Sequence, residues 1–374
     1  MTTPMQPLFE EPDLGKGPGL AGDKDILTIE QQEVAGLSQG AIIRRRFFRH
    51  KGALISMGVL AVIIVLAYSS VGFDVFGFHV PGWYHHSYGA HYDILNPKGA
   101  PTWVLPFDFG QFPLGQSDIG EDIFAQVMRG TQQSLVVMVL FGFVAGVLGI
   151  AIGAIAGFYG GWIDGILMRI TDVIIIIPAL VLFAVIGRSM GSLGAPMLAI
   201  ALGIFGWTGL ARLIRAEFLS LREREFVDAA RVAGASDFSI LFRHVLPNAV
   251  GVAIITISLI MSGAILTEAA LGFLGVGVQR PDVSLGQLLN AYESSFESRP
   301  WLFWWPGIFI IVIALCVNFI GDGLRDAFDP RQRRMPGKKG PWREAFDMIF
   351  RRGGKDAGQT TDATPHTAVG EAAQ

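Results

Sequence analysis

Uncharged apolar runs of span length constrain this chain more than any other feature. About 20 helical residues cross the roughly 30 Å hydrocarbon core of a bilayer. Six stretches reach or approach that length, at 53–73, 134–158, 170–187, 195–211, 249–274 and 301–320. Lipid offers the backbone no hydrogen-bond partner, so such runs must satisfy themselves as helices. With 16% charged residues and a mean hydropathy of +0.46, the 374 residues are too apolar for an ordinary soluble domain. The expected fold class is an all-α integral membrane protein of six transmembrane helices.

Lys and Arg set the orientation, because they concentrate in cytoplasmic loops. With both termini inside, the inner segments hold Arg44, Arg45, Arg46, Arg49, Lys51, Arg169, the cluster from Arg212 to Arg243 and the basic tail from Arg325. Only Lys98, Arg129, Arg188, Arg280 and Arg299 fall outside. The segment 74–133, rich in Gly, Pro, Tyr and Trp, is not lipid-compatible and is expected in water on the outer side. Residues 1–43 lack the charged-then-apolar order of a cleaved signal and read as a disordered cytoplasmic arm. Residues 333–374 form a basic tail. Within it Trp342, Phe346, Ile349 and Phe350 fall near one helical face, so 342–352 is either a helix lying on the anionic inner leaflet or part of an unfolded tail. A single cysteine, Cys316, excludes an intrachain disulfide.

Small residues crowd the second span. Gly142 with Gly146 and Gly149 with Gly153 are small-xxx-small pairs that let helix backbones approach, more readily within this chain than at a dedicated dimer seam. The longest inner loop, 212–247, reads locally as two short helices. The first ends at Gly234, a natural helix stop, and Ser236 or Asp237 caps the second. Pro247 then marks a break where the chain re-enters the membrane. Ala229 and Ala230 leave one spot on the first helix small enough for a partner to dock closely.

This loop resembles the EAA motif of ABC importer permeases, with Asp228, Ala229, Ala230, Gly234, Leu246 and Pro247 at the family spacing and Glu225 opening the segment. Asp228 replaces the usual Glu, and His244 stands where an apolar residue is usual. The run Arg243 to Asn248 is similar to the dipeptide and oligopeptide branch. So are Leu114-Gly115 with Gly120 and Asp122, the stretch Tyr159 to Asp164 with Arg169 and Asp172, the stretch Phe273 to Gln279 with Pro281 and Gly286, and the end Asp322 to Asp326 with Asp329, Pro330 and Arg331. The resemblance covers roughly 40–332. Departures gather on the outer side, at Ser117, Glu121, Gln132, Val283 and Leu285. The resemblance implies a transporter subunit that is not itself an enzyme. Its implied partners are a second permease, two ATP-binding subunits that carry ATP and Mg, an extracytoplasmic solute-binding protein, membrane lipid and a peptide substrate.

No phosphate-cradling Gly-x-x-x-x-Gly-Lys-Ser/Thr loop occurs, so this chain is expected to carry no nucleotide cofactor of its own. Hydrolase motifs are absent too, and the basic residues follow membrane topology rather than a nucleic-acid footprint. His79, His85, His86 and His91, interleaved with Trp83, Tyr84, Tyr88 and Tyr92, suit a structural or interfacial role better than a metal site. Asp172 is expected to pair with Arg169 or to answer a helix N-terminus. Glu268 is a candidate for the translocation path, or a bond to a neighbouring helix, because an ionisable group inside a span is costly. The alternative functions are a self-sufficient secondary carrier using Asp172 and Glu268, or an ABC importer of a nickel chelate or oligosaccharide.

Overall fold

The computed structural model describes residues 39–75, 78–102 and 110–328. Most of the arm expected over 1–43, the Asp329-Pro330 end, and the tail with its 342–352 helix lie outside the described residues.

Helix α1 (Gln39–Phe47) takes in residues 39–43 and carries Arg44, Arg45 and Arg46 in its last turn. Helix α2 (Lys51–Ser70) follows. His50 caps it by accepting from the Ala53 N–H at 3.0 Å, and its other ring nitrogen lies 3.4 Å from Asp326. Gly323 packs on Ala53, so the first span and the end of the last are joined at their polar ends. After a short hairpin, β1 (Phe73–Val75) with β2 (Phe78–Val80), the chain reaches α3 (Ile123–Tyr159). At 1.5 Å per residue its 37 residues run roughly 55 Å, well beyond the hydrocarbon core.

Next come α4 (Gly161–Ile176), α5 (Ala179–Met190), α6 (Ala195–Gly206) and α7 (Thr208–Leu221). They complete two bent pairs, turned by 83° between α4 and α5 and by 45° between α6 and α7. The first bend has a plain cause: Pro178 has no N–H for the carbonyl of Ile174, and it holds Ile177 in extended geometry at φ −73°, ψ 125°. The expected third span, 170–187, is therefore broken. The second bend falls at Gly206-Trp207, inside the expected 195–211. Helices α8 (Glu225–Val232), α9 (Asp237–Phe273), α10 (Leu285–Tyr292) and α11 (Pro300–Phe328) complete the described chain. Four helices are long and apolar enough to cross a bilayer, and the count reaches six if each bent pair is one span.

No break occurs at Pro247. The backbone instead widens into a π-turn over Ile240–Val245, where the Leu246 N–H donates to the carbonyl of Leu241. That register shift absorbs the donor that proline lacks, so α9 runs on from Asp237.

Close approach of backbones holds the bundle together. Gly142 and Gly146 face Met261 and Ile257 of α9, while Gly149, Gly153 and Gly157 face Leu210, Ala211 and Arg215 of α7. The small-xxx-small pairs thus pack within this chain. At the far end Gly272 of α9 meets Gly286 of α10.

Candidate functional site

Helix α8 stands on a polar stem. Arg222 donates to the carbonyls of Gly157 and Phe158 at 3.4 Å each, answering the negative end of α3. Arg215 holds Asp164 of α4 by two hydrogen bonds, and Arg212 holds Asp172. The expected Arg169–Asp172 pair is not the one formed: Arg169 is exposed, and the partner comes from α7, 40 residues further on. Two arginines on one side of α7, with Arg222 at its C-cap, thereby fasten it to α3 and α4.

Within α8, Glu225 and Asp228 sit in the first turn and Arg231 in the last, each sign matched to the helix dipole. The exposed Asp228–Arg231 pair at 3.4 Å contributes only tenths of a kcal/mol. The end of α8 is a Schellman motif. The Ala235 N–H returns to the carbonyl of Ala230 at 3.0 Å, and the Gly234 N–H to that of Arg231 at 2.9 Å, with Gly234 at φ +80°. Ser236 then caps α9 by accepting from the Ser239 N–H.

The two sides of α8 differ sharply. Val227 is fully buried and Ala230 half-buried, both packed with Phe158, Phe218, Ile240 and Val245. Phe226, Ala229 and Ala233 recur at helical spacing on the exposed side. Val232 is 90% exposed, and beyond the turn Phe238 and Phe242 meet in the open with tilted rings, their centroids 4.4 Å apart. Apolar surface thus stays exposed here, edged by the charges of Glu225, Asp228 and Arg231. Leu246 is half-buried against the same inner core, and Pro247 is exposed at the start of regular α-helix behind the π-turn. Glu225, Asp228, Ala229, Ala230 and Gly234 thus share one small helix and its cap, with Leu246 and Pro247 behind them.

Glu268 lies elsewhere. It is fully buried, and Oε2 accepts from the Ser134 hydroxyl at 2.7 Å. Oε1 has no hydrogen-bond partner in range, although the Ser284 side chain interacts with the carboxyl. Next to it Asp282 accepts from Arg129 at 2.8 Å and from Gln133 at 3.2 Å, and Gln132 donates to the carbonyls of Ala67 and Gly72 at 2.8 Å each. These polar residues fill the first turns of α3, which the sequence places in water.

The aromatic segment between α2 and α3 folds onto the start of α3. Asp122 caps that helix with Oδ1 and uses Oδ2 to accept from the Tyr84 hydroxyl at 2.6 Å, with His86 Nδ1 2.8 Å away. Burial first, then this bond to Asp122, pushes the Tyr84 phenol well above its ordinary range and keeps it a donor. His86 stacks on Phe112, and His91 donates to the carbonyl of Ile119. His85 is exposed, and the side chain of His79 lies outside the described residues. Among the described residues no three His, Cys, Asp or Glu side chains converge as a metal would require.

A bundle of long apolar helices, with two bent helix pairs and a small capped helix projecting from it, has the architecture of a multi-span α-helical membrane protein. Residues 149–334 match the family of binding-protein-dependent transport system inner membrane components. Residues 38–89 match the N-terminal transmembrane domain of oligopeptide transport permease C. The oligopeptide transport system permease protein OppC of Mycobacterium tuberculosis is 36% identical over 304 residues, 80% of this chain and 97% of that one. The protein of the same name in Haemophilus influenzae is 34% identical over 82% of this chain and 93% of its own. A putative peptide permease of Brucella ovis is 40% identical over 64% and 77% respectively. The chain belongs to this family of transport permeases, in its oligopeptide branch.

Proposed function

We propose that this chain is one of two permease subunits of an ATP-driven peptide importer, coupled to cytoplasmic ATPases through α8. The observation that carries the coupling role is the two-sided packing of α8. Its inner side is part of the bundle core through Val227 and Ala230, while its outer side presents Phe226 and Val232, beside Phe238 and Phe242 at the start of α9, to a partner. A helix packed in this way moves with the bundle rather than independently of it. ATP and Mg belong to the two ATPase subunits. A second permease completes the path, and an extracytoplasmic binding protein delivers the peptide. The peptide substrate is supported by relatives named for oligopeptide transport at 34–36% identity. A self-sufficient carrier is disfavoured, because its two carboxylates are not set on one path: Asp172 pairs with Arg212, and Glu268 is sealed against Ser134.

Docking is tested by Phe238→Asp together with Val232→Asp. Both side chains are exposed, so the chain is expected to insert normally yet lose the ATPase on co-purification and lose uptake. Full retention of the ATPase by the double variant would remove α8 as the docking element. Orientation is tested with single cysteines in a Cys316→Ala background. Glu223→Cys is expected to react only from the cytoplasmic side and Ser294→Cys only from outside, following the Lys/Arg bias. The reversed pattern would invert the topology.

A further inference from the structure

At the other end of α3, a cavity of about 480 Å³ opens between the outer segment and α10. Glu121, Gln126, Tyr292, Gln287, His91 and Arg280 line it. Glu121 is 5% exposed, yet its carboxylate is poorly served. Oε2 is 3.3 Å from the Tyr292 hydroxyl, and the guanidinium of Arg280 stands 3.7 Å from Oε1, beyond hydrogen-bond reach, on a side chain 70% exposed. The Tyr292 hydroxyl has one proton to give, and Gln126 Oε1 at 2.9 Å competes for it. Burial, with Glu121 alongside, pushes that phenol above its ordinary range, so it stays protonated. Gln287 Oε1 is buried without a partner. His91 spends Nδ1–H on Ile119, which leaves Nε2 of the neutral ring as an acceptor.

The cavity therefore holds a carboxylate, two amide oxygens and an imidazole nitrogen, with one phenolic proton shared between the carboxylate and Gln126, and the amide NH2 groups and the rim guanidinium of Arg280 as its other donors. A buried carboxylate in that state is costly unless a cation with several N–H groups joins it. We propose that this cavity binds a primary ammonium group, with Glu121 as its counter-ion and Gln126, Gln287 and His91 as further acceptors. Three diverging N–H bonds suit acceptors spread around a centre, whereas the planar fork of a guanidinium suits paired coplanar oxygens. The volume exceeds a bare amine and admits the first residues of a peptide or a lysine side chain. Arg280 sits at the rim as the weak resident cation that such a group displaces.

Ala291 lines the same cavity and is exposed, so it serves as a reporter. The full-length Ala291→Cys chain in a Cys316→Ala background is placed in lipid nanodiscs with its co-purifying subunits, and maleimide labelling is timed without nucleotide. Tri-alanine is expected to slow labelling severalfold, N-acetyl-tri-alanine is not, and Glu121→Gln abolishes the slowing. Arg280→Gln, which removes the competing cation, lowers the tri-alanine concentration needed. Slowing by the extracytoplasmic binding protein alone, lost when its lysines are acetylated and lost in Glu121→Gln, assigns the ammonium to a partner's lysine instead of a free peptide. Equal slowing by both peptides overturns the proposal, as does slowing that survives Glu121→Gln, a weaker tri-alanine effect in Arg280→Gln, or no slowing by tri-alanine or the binding protein. Labelling requires neither ATP nor transport, so its outcome is separate from whether the chain imports peptides.

Discussion

Gly234→Val is expected to cut uptake by an order of magnitude or more while the helical bundle stays inserted. The reason is conformational rather than steric. A Cβ at Gly234 would meet nothing within 4 Å, but the residue sits at φ +80°. Left-handed geometry costs an L-residue about 1–2 kcal/mol, and more when it is β-branched. Helix α8 has only eight residues, and isolated helices that short are marginal in water. Strain of that size is enough to unwind the Schellman turn, releasing the bonds to the carbonyls of Ala230 and Arg231 and freeing α8 from its fixed angle. Gly234→Asn is the control, because asparagine tolerates the left-handed region, and it should keep most of the uptake. Ala230→Trp reaches the same end by another route, lifting α8 off Phe158 and Phe218. Uptake and ATP hydrolysis measured together in vesicles with all subunits should show hydrolysis persisting without transport. Normal uptake in both Gly234→Val and Ala230→Trp would leave α8 with no coupling role.

The long apolar runs and the short helix α8 were legible in the sequence because each rests on a local signal. Apolar length marks the spans, and Gly234 with Ser236 punctuates α8 and α9. The bend at Pro178 was equally local, and a proline near the middle of 170–187 announces it. Helix α10 carried a signal as well: Ser284 with Gln287 three residues on is a capping-box spacing, and Ser284 does accept from the Gln287 N–H. Its eight residues between spans are easily read as loop. Less legible were features set by distant partners. The start of α3 at Ile123 was hidden because Gln126, Arg129, Gln132 and Gln133 look water-bound by type, although each finds a partner inside the fold, among Tyr88, Asp282, Ala67 and Gly72. Asp172 lies on the same helix as Arg169, yet its partner Arg212 comes from another helix. The residues of α8 and its cap are assembled as the local spacing suggests, and Glu268 bonds Ser134 of a neighbouring helix, one of the two readings its place in a span allowed.

Gly153→Leu is expected to break the packing of α3 on α7, abolishing recovery of folded chain from the membrane. Helices α3 and α7 cross with Gly149, Gly153 and Gly157 of α3 laid directly on α7. A Cβ at Gly153 would lie 2.5 Å from the carbonyl oxygen of Ala211 and 2.9 Å from Cβ of Ile214. One at Gly157 would lie 2.6 Å from the carbonyl oxygen of Arg215. The obstacle is backbone inside a helix, which cannot swing aside as a side-chain tip does. Overpacking of a tight core costs typically about 1–3 kcal/mol, and a leucine, bulkier than a lone Cβ, falls at or above the upper end. Helix association in lipid also lacks the hydrophobic drive available in water, so close packing supplies much of what holds α3 to α7. Separation of these helices also pulls Arg222 from the end of α3 and Arg215 from Asp164, which removes the stem on which α8 stands. Gly161→Leu is the matched control. It opens α4 just past the end of α3, with nothing within 4 Å of its added Cβ, though its φ of +56° carries a modest strain of its own. Detergent-resistant folded yield and thermal unfolding of the full-length chain should separate the two. Recovery of Gly153→Leu at the level of the parent would show that α3 and α7 do not pack through this glycine face.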